Sequence, residues 1–183
     1  MFPLPTHRRR QGSAPWICAL ALFFTCLGAC STEIPDGSVQ LHLSVDFSRE
    51  PPIERLVLHK ARLLFRAKGL DWEAAWTESA SHWAEIDLGE LSSGEDLVLL
   101  AEQIPGDSYE HIFLTGSSLS ATGTDGKEVE ISNILEPIAV VFEHQDDQAT
   151  DLFLELIILE EIESPGSYML FAKDAGLVNH PSE

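Results

Sequence analysis

Cysteine is nearly missing from this chain of 183 residues: there are three, Cys18, Cys26 and Cys30, all within the first thirty positions. The remainder therefore has no disulfide framework, no thiolate metal site and no cysteine nucleophile, so its stability must come from a core. Basic residues are scarce too, with 11 Lys and Arg against 30 Asp and Glu and a formal net charge of −19. Nucleic-acid binding is excluded as a class, because neutralising phosphates takes clustered Lys and Arg. No apolar run reaches the roughly 20 residues that cross a bilayer as a helix. The signatures of common chemistry are also missing: there is no H-E-x-x-H, no C-x-x-C and no glycine-rich phosphate loop. Gly116-Ser117-Ser118 and Gly106-Asp107-Ser108 lack the second glycine of a nucleophile elbow.

What is present begins with a leader. Arg8, Arg9 and Arg10 form a basic stretch, and Trp16 to Leu27 is an uncharged run of 12 residues, the dimensions of a secretory h-region. Leu27-Gly28-Ala29-Cys30 resembles the lipobox of bacterial lipoproteins. That resemblance implies cleavage before Cys30, a covalent lipid on its thiol, and attachment to the membrane through acyl chains alone. Ser31, a residue other than Asp after the cysteine, points by the same resemblance to the outer membrane. Removing residues 1–29 takes away three Arg and no acid, leaving 8 bases, 30 acids and a formal charge of −22. Six of those bases lie before residue 69; after it only Lys127 and Lys173 face 25 acids. Such a surface repels anionic headgroups.

Apolar content of 44% suits one packed domain. We divide the chain into a leader (1–29), a lipidated tether (30–37), a β domain (38–172) and a tail (173–183). Within the domain the dominant period is two. Val39, Leu41, Leu43 and Val45 alternate with polar residues. Leu56 and Leu58 share one parity and Ala61, Leu63 and Phe65 the other, so a bulge near His59-Lys60 is expected to return both sets to the core. Thr124-Asp125-Gly126-Lys127 reads as a hairpin turn. Apolar residues on both parities of 152–159 predict a central strand covered on both faces. Leu97, Leu100, Ala101 and Ile104 have helical spacing, with Ser93 and Asp96 placed as a capping box. Segment 70–83 has no clean period and reads as a loop with a helical turn. Pro105-Gly106-Asp107-Ser108-Tyr109 and Pro165-Gly166-Ser167-Tyr168 read as tight turns whose Tyr hydroxyl returns to the turn backbone. The sum is an all-β fold, an antiparallel β-sandwich of about eight or nine strands of transthyretin or immunoglobulin kind, with one or two short helical turns.

The order of motifs adds a resemblance. SVQLHLSVD, LHKARLLF, the tryptophan region, IDLGEL, LVLLAEQIPGDSY, EHIFL, the Asp125-Gly126 hairpin, PIAVVFEH, LFLELIIL and PGSYML resemble an uncharacterised bacterial lipoprotein family. Its domain carries a Leu-Leu-Ala…Pro-x-Gly-x-Tyr block between two sheet halves, and the likeness covers about residues 37–172. It implies a transthyretin-like sandwich on the cell envelope, with no activity attached. Where that family has Thr-Asp-Ala-Pro and Asp-Phe-Asp, this chain has Val45-Asp46-Phe47-Ser48 and Leu154-Glu155-Leu156, so of those acids only Asp46 is retained.

Candidate sites are few. Trp72, Trp76 and Trp83, flanked by acids and His82, can stack on sugar rings if they lie on a surface loop, or else plug an open end of the sandwich. Glu143, Asp146, Asp147 and Asp151 crowd one expected hairpin and could offer oxygens to calcium. His42, His59 and His111 could meet across strands as a zinc site. No pair of carboxylates lies in an evident cleft for glycoside hydrolysis. The expectation is a non-enzymatic envelope lipoprotein, with a structural, adhesion or binding role. A carbohydrate- or calcium-binding surface is the alternative, and an envelope protein or a glycan would be the partner.

Overall fold

The period-two pattern becomes strand almost everywhere. The computed structural model describes residues 37–47, 53–71, 76–93 and 96–178. Cys30 and Trp72 lie outside the described residues. In chain order the elements are β1 (Val39–Asp46), β2 (Ile53–Ala67), β3 (Thr77–Asp87), a 3-10 turn (Gly89–Ser93), β4 (Leu97–Ala101), β5 (Asp107–Thr115), β6 (Ser118–Gly123), β7 (Glu128–Val129), β8 (Ile131–Asn133), β9 (Ile138–His144), β10 (Thr150–Glu160) and β11 (Tyr168–Leu177). They form two sheets packed face to face, an all-β sandwich.

One sheet runs β4-β1-β10-β11-β8. In the other, β2 carries β3 on one edge. Its first half pairs β6 and its second half β5 on the opposite edge, so those two strands lie end to end. Beyond them sit β7, against β6, and β9, against β5. Two pairings are parallel, β1 with β10 and β11 with β8, within a sandwich whose other pairings are antiparallel, as expected. Alternation reports which face of a strand is buried, not which strand lies beside it.

The inner faces meet in one core. Val39, Leu41 and Leu43 from β1 and Leu56, Leu58, Ala61, Leu63 and Phe65 from β2 have no exposed surface. Burying each of the large side chains stabilises the fold by about 1.5–3 kcal/mol. The phase change expected in β2 falls where the sequence places it, but not as a register slip. Pairing with β3 stays in step from Val57 to Arg62, and the change is made at Lys60, in the left-handed region at φ 49°.

Two segments differ from their sequence reading. Residues 97–101 form a strand paired with β1, Leu99 opposite Leu41 and Ala101 opposite Val39. A short helix there would lack length to hold itself, whereas as a strand it buries Leu99 and Ala101. The segment read as a loop with a helical turn contributes most of β3. Between the pairs Arg62–His82 and Leu64–Glu78 one residue of β2 faces three of β3, and that irregularity erases the alternation. Strand β10 is central, but its second face is only half covered, with Leu159 41% exposed. The last strand runs to Leu177, with Lys173 as the extra residue where pairing shifts from Glu155–Asp174 to Leu156–Ala172. The hairpin at Thr124–Lys127 forms, with Gly126 at φ 77°.

The first Pro-Gly turn behaves as its residues suggest. Tyr109 is buried, and its hydroxyl donates to the Pro105 carbonyl at 2.7 Å. Burial, then the charges of Asp107 and Asp146, push its phenol above the usual value. Folding thus favours the neutral phenol. Its contribution is intact below about pH 10, where the unfolded phenol begins to ionise, and is lost as pH rises through the higher folded value. We expect Tyr109→Phe to cost about 1 kcal/mol at neutral pH through the lost hydrogen bond. Denaturant titrations from pH 8 to 11 should show a shallower alkaline decline than in wild type. An unchanged slope would mean that Tyr109 does not titrate in this range.

Candidate functional site

The break between β5 and β6 shapes the surface. At Gly116-Ser117 the chain steps off the β2 edge, held there by Ser117 N donating to His59 O at 2.8 Å. Opposite this gap β2 flips its phase at Lys60. A groove of about 540 Å³ opens between them, with Ala61, Ala84, Gly116 and Ser117 among the small residues lining it. Gly116 leaves no room for a side chain: a Cβ there would stand 2.5 Å from Cδ1 of the buried Leu58 and 2.9 Å from the His59 carbonyl oxygen. Trp83, paired with Ala61 across β2 and β3, lines the groove while packing partly on the core. Lys60, Arg62 and His82 complete the lining. A second depression, about 670 Å³, shares Lys60, His82, Trp83 and Ala84 and extends to His59 and Glu85.

Around it the bases of β2 meet the acids of β3. Arg55 lies 3.2 Å from Asp87 and 3.9 Å from Glu85. Glu85 also faces His59 at 3.4 Å, while Glu78 takes Arg62 at 3.3 Å and His82 at 3.4 Å. Lys60 has no ion-pair partner among the described residues. The cluster of bases seen before residue 69 is thus largely matched in charge. Exposed pairs of this kind contribute little to stability.

His59 also approaches a catalytic arrangement. Its Nε2 is 2.8 Å from Ser120 Oγ, and its Nδ1 faces Glu85. Ser120, however, sits mid-strand on an exposed face, not on a turn that would aim backbone N–H groups at a developing oxyanion.

The sequence candidates are dispersed. Trp76 packs edge-on against Phe113, ring centres 6.1 Å apart, while Trp83 alone of the described pair lines the groove. Residues 143–151 do not form a hairpin, because β9 and β10 belong to different sheets. Glu143 projects outward from one sheet and Asp151 from the other, so the two acids face opposite sides of the sandwich. Asp151 Oδ1 accepts from Gln40 Nε2 at 2.8 Å, and Asp146 Oδ1 accepts from Gly106 N at 2.6 Å. Asp147 is exposed in the connection between them. His42 stands on β1, in the opposite sheet from His59 and His111. Among the described residues no group of three His, Cys, Asp or Glu is arranged to hold a metal ion. Asp46, the acid retained in the family resemblance, is taken by Lys173, whose Nζ donates to it at 2.9 Å and to Glu155 at 2.8 Å; both contacts push the lysine's pKa upward.

Lys60, Ala61, Gly116 and Ser117 were not legible as site residues. The available signals were the parity change at His59-Lys60 and a Gly-Ser step between two strands. No protein-family model and no curated protein matches the chain.

Proposed function

We propose that this chain is an exported module of the bacterial cell envelope, anchored by a lipid on Cys30, that binds its partner rather than transforming it. The leader and lipobox support the location, as does the likeness to an envelope lipoprotein family. A core built without cysteines suits an exported domain that keeps only a lipidated one. The observation that carries the binding role is the groove of about 540 Å³ at the step between β5 and β6, with Trp83 among the residues lining it.

Protein extracted from membranes should carry a diacylglyceryl mass on Cys30, and Cys30→Ala should leave the leader uncleaved. Normal processing of that variant would overturn the anchor. The detergent-purified protein should be retained on isolated envelope fragments, and Trp83→Leu, which keeps apolar bulk but removes the flat ring, should lower retention about tenfold. Equal retention by both proteins would overturn the groove as the binding surface.

A further inference from the structure

We infer that the outer face of the five-stranded sheet, where β10 turns into β11, docks another protein, one whose apolar patch is rimmed by Lys and Arg. This surface belongs to the sheet opposite the groove and goes beyond the binding role assigned above. It begins with the sequence of β10. A strand with apolar residues on both parities has two faces to cover. Leu152, Leu154, Leu156 and Ile158 fill the core, and the described strands make only two layers, which leaves the other face to something outside them. On that face the register sets Ile157 beside Phe171 and Leu159 beside Met169. Leu159 is 41% exposed, and Ile162, in the turn of the same hairpin, is 95% exposed. Single exposed apolar residues are ordinary; a group gathered on one hairpin marks a contact surface.

The turn is built to hold its shape. Glu161 N donates to Ser167 O at 2.9 Å, and Ser167 N to Ser164 O at 2.9 Å. Gly166 takes the left-handed region at φ 92°, and its N donates to Glu160 Oε1 at 3.1 Å. Ser167 Oγ ties the turn to Glu130 Oε2 at 3.2 Å, just before β8. Backbone fixed in this way has little freedom left to lose on docking, so more of the burial of Ile162 appears as affinity.

Charge selects the occupant. Asp46, opposite Ile157, and Glu155 border the apolar pairs, and Glu160, Glu161 and Glu163 crowd the turn. Lys173 on β11 is already shared by Asp46 and Glu155, and Glu160, Glu161 and Glu163 have no ion-pair partner among the described residues. A partner that buries Ile157, Leu159 and Ile162 therefore meets carboxylates around them, and Lys or Arg at its rim steers the encounter and fixes its register. A second copy laid on this face would set these acids against its own. Anionic headgroups would be repelled in the same way.

The test holds the full-length protein in phosphatidylcholine vesicles, with protein-free vesicles as the blank. Three peptides of equal length are titrated calorimetrically: an amphipathic leucine–lysine helix, a serine–lysine peptide of the same charge, and a leucine–glutamine helix. The leucine–lysine helix should bind, and each of the others at least about tenfold more weakly, since each lacks one half of the recognition. Leu159→Ser combined with Ile162→Ser should weaken the leucine–lysine helix by about tenfold or more. Ile162→Ser alone should melt as wild type does, because so exposed a side chain has almost no packing to lose. Trp83→Leu, in the other sheet, should bind the helix unchanged. Unaltered binding by the double variant, equal binding of the serine–lysine or leucine–glutamine peptide, or a loss with Trp83→Leu matching that of the double variant would each overturn the inference. A photo-crosslinker at the turn, Ile162→p-benzoylphenylalanine, separates the occupants. An adduct with the leucine–lysine helix is the expected product, whereas an adduct with a second copy or with lipid in its place would overturn the assignment.

Discussion

Phe65→Ala is expected to lower the unfolding free energy by about 3–5 kcal/mol, a large share of the 5–15 kcal/mol typical of a domain. Phe65 has no exposed surface. Its ring meets Tyr109 at 5.6 Å and 61° and Phe142 at 6.1 Å and 71°, both edge-on, while those two stack on each other at 5.3 Å and 24°. The three rings come from β2, β5 and β9, which are neighbours in one sheet. Their backbones are fixed by the ladder, so the strands cannot close on the space left by truncation. The loss is therefore the transfer energy of the ring plus the cavity, with edge-on pairing adding about 0.5–1.5 kcal/mol per contact. Phe65→Leu keeps most of the volume and should cost clearly less. Urea unfolding with an unchanged slope and a lowered midpoint measures this. A loss under 1 kcal/mol for the alanine variant would mean that this end of the core is loosely packed.

The same cluster marks how far the sequence could be read. Phe65 and Leu63 on one parity and Leu58 and Leu56 on the other announced the phase change in β2, because both sets must reach one core. The turn before Tyr109 was legible for a similar reason: proline, glycine and a tyrosine within five residues make a local device whose parts are adjacent in the chain. What stayed hidden depends on partners far apart in sequence. Nothing in Val39–Asp46 says that its neighbours will be β4 and, in parallel, β10. Strand β3 is an edge strand, and three of its residues crowd opposite one of β2, so its apolar residues lose their rhythm. Leu97, Leu100 and Ala101 fit a helical stripe as well as a strand, and only the pairing with β1 decides between them. The acids of 143–151 looked gathered because the chain between them is short, whereas the crossing between sheets sends Glu143 and Asp151 to opposite faces. The groove combines two such hidden facts, the end-to-end placement of β5 and β6 and the left-handed residue opposite their junction.

Glu110→Ala is expected to be the most damaging change among the acids, at about 2–4 kcal/mol, because it removes the carboxylate beside a buried cation. The Arg66 side chain is only 8% exposed, and its Nη2 donates to Glu110 Oε1 at 2.6 Å and to the Leu70 carbonyl at 3.0 Å. Glu110 is more open, at 23%, which places the expected cost below that of a pair sealed on both sides. Glu110 also receives Gly69 N through its second oxygen, at 3.4 Å, so the pair ties the β2–β3 connection to β5. The stability of the pair as a whole is a separate quantity. Desolvating Arg66 offsets much of the attraction, and an apolar pair of similar volume recovers it without that cost. The double variant Arg66→Met with Glu110→Leu should therefore lie within about 1 kcal/mol of wild type, well above Glu110→Ala alone. Arg66→Met by itself leaves a carboxylate that can turn to water, and should fall between the two. Chemical unfolding of the four proteins completes the cycle. If Glu110→Ala matches wild type, the guanidinium has another adequate partner; if the double variant is the least stable of the set, the charges themselves hold this corner of the sheet.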